Sequence, residues 1–76
     1  MKEKYLAGHK ASGLKKGDKV KVIKKATDFQ DGWDLPWFQD MNGNVGKVLE
    51  ISADLGYCGF QMKEAWAYPY FVLEKI

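Results

Sequence analysis

Residues 29–46 read FQDGWDLPWFQDMNGNVG and contain two of the three Trp and two of the four Phe in the chain. A buried aromatic removes roughly 150–250 Å² from water, so a segment this aromatic is more than a solvated connection. Trp33, Trp37 and Met41 recur every fourth residue, the spacing of one helical face. Pro36 limits that face, because it disfavours a helical Leu35 and is tolerated only in a helix's first turn. The spacing predicts a short turn capped by Asp34 and running to about Met41, with Trp33 delivered through Gly32 and Asn42-Gly43 ending it. The segment is then a long, partly buried loop between two strands.

On its N-terminal side, Gly17-Asp18 makes a turn into Lys19-Val20-Lys21-Val22, which alternates polar and apolar at period two. Val20 and Val22 are expected in the core, with Lys19 and Lys21 in water. Ahead of that, residues 1–13 (MKEKYLAGHKASG) show charge, glycine and little periodicity. They predict a flexible arm beside a domain of residues 14–76, with Tyr5 and Leu6 the only residues able to dock and His9 solvated.

On its C-terminal side, residues 45–52 predict a second strand, bent because Val48 and Leu49 put apolar side chains on both faces. Asp54-Leu55-Gly56 turns the chain into residues 57–62, where Cys58, Phe60 and Met62 share one face and Cys58 reads as a small core hydrophobe. Residues 65–68 form a fourth strand that Pro69 stops. Tyr70-Phe71 fits one 3₁₀ turn, and residues 72–76 close as a fifth strand. The expected class is all-β: a small five-stranded barrel, with the long aromatic loop after strand 1 and the 3₁₀ turn before the last strand.

These residues carry a resemblance. The run GDKVKV at 17–22, the spacing G-W-x3-W-x3-M-x3-V-G at 32–46 and W-x-Y-P-x3-L-E at 66–74 resemble the Mind-bomb type of SH3-like barrel. They are also similar to small SH3-like proteins of bacteria and their phages. The likeness spans roughly residues 14–76. In the large Mind-bomb ligases such domains recognise peptide segments of a partner, so the resemblance implies peptide recognition here. An isolated domain whose basic residues are all Lys suits a phage accessory protein acting on a host partner.

Composition narrows the chemistry. One Cys leaves no internal disulfide, and one His beside one Cys falls short of a zinc ligand set, so no metal or cofactor is expected. Ser12, His9 and Cys58 have no spacing that pairs a nucleophile with a base, so no catalytic residue is assigned and an enzyme is the least expected class. No apolar run reaches the ~20 residues of a membrane span, and the N-terminus lacks a signal-peptide core. A cytoplasmic domain is expected, in the host cytoplasm if phage-encoded.

The charge is unevenly placed. Residues 1–25 carry nine Lys and two acids, and residues 26–76 carry three Lys and eight acids, which sums to the net +2. Two binding styles follow. Phe29, Asp31, Asp34, Phe38, Asp40 and Tyr70 form a candidate site for a peptide or protein ligand, with aromatics taking apolar residues and carboxylates pairing with a Lys or Arg. Trp33, Trp37, Met41 and Trp66 are assigned to packing. Alternatively Lys15, Lys16, Lys19 and Lys21 form a nucleic-acid edge, against which the acidic remainder and the lack of Arg both count.

Overall fold

The computed structural model describes residues 2–76. Helix α1 (Lys2–Ala11) leads into five strands: β1 (Lys19–Val22), β2 (Val48–Asp54), β3 (Phe60–Met62), β4 (Ala67–Tyr68) and β5 (Leu73–Lys75). They form one antiparallel sheet in the order β4-β3-β2-β1-β5. The edge strands β4 and β5 are not paired to one another, so the sheet is open rather than a closed barrel. Among the described residues no helix is long and apolar enough to cross a membrane.

β1 follows its alternation: Val20 and Val22 are fully buried, while Lys19 and Lys21 are exposed. β2 begins three residues later than expected. Its first half pairs with β1 (Val20↔Leu49) and its second with β3 (Asp54↔Phe60). A register shift between Ile51 and Ala53 makes this division possible, because the extra residue bends the strand and increases its twist. Ser52 sits in the shift and donates its hydroxyl to the Gln61 carbonyl at 3.1 Å.

The core joins Val20, Val22, Ile51, Phe60, Met62, Tyr68 and Val72 to Trp33 and Met41 from the long loop. Each fully buried aliphatic or aromatic side chain contributes about 1.5–3 kcal/mol. Cys58 is corrected: it lies in a 3₁₀ turn (Gly56–Cys58) rather than a strand, is half-buried, and its carbonyl accepts the Trp33 Nε1–H. The 3₁₀ turn before the last strand is present at Tyr70–Val72.

The expectation of a flexible arm is also corrected. Of residues 1–13, Met1 lies outside the described residues, and the rest form a docked helix and its cap. Tyr5 and His9, four apart on one face, are 1% and 3% exposed. Ser12 closes the helix by donating its hydroxyl to the His9 carbonyl at 2.6 Å, and Gly13 leaves it at φ 71°. A helix of ten residues is marginal in water, so its stability comes from this docked face.

Candidate functional site

The long loop is not helical where the Trp-Trp-Met spacing suggested. Two 3₁₀ turns, Gln30–Gly32 and Gln39–Asn44, flank a non-helical run from Trp33 to Phe38 that bends at Leu35. Pro36 is the reason, since it holds Leu35 out of the helical region. The loop is tied shut across its base: Phe29 N–H donates to the Leu35 carbonyl at 2.9 Å, and Trp37 N–H to Asp28 Oδ1 at 2.7 Å. Trp33 is 1% exposed and donates Nε1–H to the Cys58 carbonyl at 2.8 Å. Trp37 is half-buried, packed edge-on between Trp33 and Tyr68, with Nε1–H donated to Asn42 Oδ1 at 2.7 Å. Trp33, Trp37 and Met41 thus pack as expected.

Phe38 turns the other way and is 47% exposed. Its ring lies 5.0 Å from that of Trp66, which is 41% exposed and not the packing residue expected. A three-residue connection sets Trp66: the Met62 N–H donates to the Trp66 carbonyl, and Glu64 between them adopts φ 61°. Sequence reasoning missed Trp66 because an aromatic in a short strand beside a proline reads as core. Alternation gave no contrary signal, because period two puts Trp66 on the same face as the buried Tyr68.

The remaining candidates divide. Asp40 is exposed in the first turn of Gln39–Asn44. Asp34 pairs with Lys2 Nζ at 3.2 Å, and the same ammonium lies 5.9 Å from the Tyr57 ring centre. Phe29 is 57% exposed at φ 53°. Asp31 and Tyr70 come together, with Lys4 and Phe71, around a depression of about 240 Å³. Among the described residues no ring contact joins Phe38 to Phe29 or Tyr70; Phe38 meets Trp66, and Tyr70 meets Tyr5 and Phe71.

Lys15, Lys16, Lys19 and Lys21 are all exposed. In register, however, Lys19 stands opposite Glu50 of β2 and Lys21 opposite Glu74 of β5. Opposite charges facing one another across strands stabilise the sheet and reduce the field available to a phosphate. The acids opposite Lys19 and Lys21 therefore come from the neighbouring strands β2 and β5.

His9 is the largest departure. Its ring stacks on Phe60 at 4.0 Å and 8° between planes. Nε2 lies 2.8 Å from Asp54 Oδ1, and Nδ1 lies 3.1 Å from the Tyr5 hydroxyl. That hydroxyl accepts the Tyr70 N–H at 3.3 Å, which leaves its own proton for Nδ1 and makes Nε2–H the donor to Asp54. Burial pushes the Tyr5 hydroxyl up, against the lowering effect of the Tyr70 N–H. At Asp54 burial acts to raise the carboxyl, but the Gly56 N–H and then His9 outweigh it and hold it below its ordinary value. The row of Tyr, His and Asp has the order of a proton relay. Tyr5 and His9 are 1% and 3% exposed while Asp54 meets water, and the row fastens α1 to β2 and β3.

Comparison with protein-family models, with curated proteins and with solved structures finds no match to this chain.

Proposed function

We propose that this protein is a non-enzymatic module that binds a peptide or protein segment, with Phe38 and Trp66 at the centre of its contact surface. The observation carrying this reading is the exposed ring pair itself. Two large aromatics twenty-eight residues apart are brought to 5.0 Å and left about half in water. Aromatic anchors of this kind dominate protein interfaces, and contiguous exposed apolar area on a small domain marks an interaction site. Asp40, two residues after Phe38, and Glu64, two before Trp66, are both exposed, which suits a ligand with a basic residue beside its apolar anchor. The strand order and the 3₁₀ turn before β5 support an SH3-like ancestry for the sheet. Nucleic acid is the less favoured partner, because Lys19 and Lys21 stand opposite Glu50 and Glu74.

The test is a selection from a random peptide display library on the immobilised protein. Counter-selection uses the Phe38→Ala/Trp66→Ala double variant. The expected outcome is an enriched set with an aromatic or aliphatic residue near a Lys or Arg, whose binding the double variant loses. Enriched peptides that bind parent and double variant equally would place recognition elsewhere, and no enrichment would count against a peptide-binding role.

A further inference from the structure

The seam between α1 and the 3₁₀ turn at Gln30–Gly32 contains two pairs of opposite charges. Lys2 and Asp34 are closed, at 3.2 Å. Lys4 and Asp31 line the same depression of about 240 Å³ with Tyr70 and Phe71; among the described residues the two form no ion pair with each other, and Asp31 Oδ2 accepts only a long 3.4 Å hydrogen bond from Gln30 Nε2. The depression therefore presents a cation, an anion and two aromatic rings to one small space.

Two features show that this arrangement is held by the fold. Asp31 sits at φ 52° and Phe29 at φ 53°, left-handed conformations that a non-glycine residue adopts at an energetic cost. Behind the lining residue Tyr70, Gly8 of α1 lies so close that a Cβ there would overlap the ring and its hydroxyl. The missing side chain lets Tyr70 lie on the helix, where it packs at 5.2 Å from Tyr5 and 5.4 Å from Phe71.

The geometry points to a binding site for a single amino-acid-sized zwitterion with an apolar side chain. Lys4 would receive its carboxylate, Asp31 its ammonium, and Tyr70 and Phe71 its side chain. Size supports this class: drug-sized ligands occupy roughly 300–1,000 Å³, and this space is smaller. The site is separate from the Phe38–Trp66 pair, so either assignment can fail without the other.

The experiment is an amide chemical-shift titration of the 15N-labelled protein with L-phenylalanine, N-acetyl-L-phenylalanine and L-phenylalaninamide. L-Phenylalanine is expected to move the Asp31, Tyr70 and Phe71 amides saturably. Each blocked derivative should bind more weakly by roughly two- to fivefold, the scale of one exposed charge pair. Asp31→Asn, which keeps a residue tolerant of the left-handed conformation, should weaken L-phenylalanine but not its N-acetyl form. Lys4→Gln should weaken L-phenylalanine but not its amide. Absence of saturable shifts at these residues, or equal binding of either derivative and the parent compound, would overturn the assignment.

Discussion

His9 is the buried polar side chain among the described residues. It is 3% exposed, its flat face covers Phe60, and both ring nitrogens have partners. His9→Ala removes the stack and leaves the buried Tyr5 hydroxyl without its acceptor. A loss of more than about 2 kcal/mol is expected in denaturant unfolding. Asp54 gives the same network a pH dependence. Because its folded value lies below the ordinary 3.8, its contribution is complete at neutral pH and is lost as pH falls past 3.8 toward the lower folded value. Melting temperatures recorded between pH 7 and pH 3 should fall in the acid limb for the parent, and less steeply for Asp54→Asn. Parallel acid limbs would remove Asp54 from the account. Of this, MKEKYLAGHKASG showed only that Tyr5 could dock; the helix and the burial of His9 were not legible, because the docking face is made of Tyr and His rather than a run of aliphatics.

Among the elements, strands were easier to read than the loop between them. Val20 and Val22 declare β1 by alternation, and Phe60 and Met62 declare β3, because a strand's side chains divide cleanly between two faces. The long loop obeys no such period. Its Trp-x3-Trp-x3-Met spacing suggested a helical face, yet the three side chains meet the core from a bent, non-helical run and a 3₁₀ turn. Pro36 decided the local backbone, and the core decided which rings pack. Position 59 shows the same priority of tertiary contact over local pattern. Gly59 has φ 90°, and a Cβ there would collide with the Tyr68 backbone carbonyl. Gly59→Ala is expected to destabilise the protein by more than about 2 kcal/mol, through both the left-handed strain and the displaced β4. A melting temperature equal to the parent's would contradict this packing of β4 on the 56–59 turn.

At the scale of the whole molecule, the basic N-terminal third and the acidic remainder are partly interleaved rather than set apart as two surfaces. Lys2 meets Asp34, Lys75 meets Asp18 at 3.7 Å, and the β1 lysines stand opposite glutamates. Binding of a single-stranded oligonucleotide at physiological salt should accordingly be weak. A dissociation constant on the order of 10⁻⁸ M by fluorescence anisotropy would reverse the preference for a protein ligand. The sequence alone could suggest interleaving but not which residues meet, since that depends on strand register.

The proposed function rests on a division between aromatics that pack and aromatics left exposed. Trp37 and Phe38 are neighbours in sequence, yet Trp37 lies between Trp33 and Tyr68 while Phe38 lies in the open against Trp66. The direct measurement is denaturant unfolding of Trp37→Ala and Phe38→Ala beside the parent. Trp37→Ala should lose about 3 kcal/mol, near the lower end for truncating a packed Trp because the ring is only half-buried. Phe38→Ala should lose less than about 1 kcal/mol, as expected for a side chain whose main contact is another exposed ring. If Phe38→Ala instead unfolds the protein while Trp37→Ala retains the parent's midpoint, the exposed pair is core and the surface assigned to recognition does not exist.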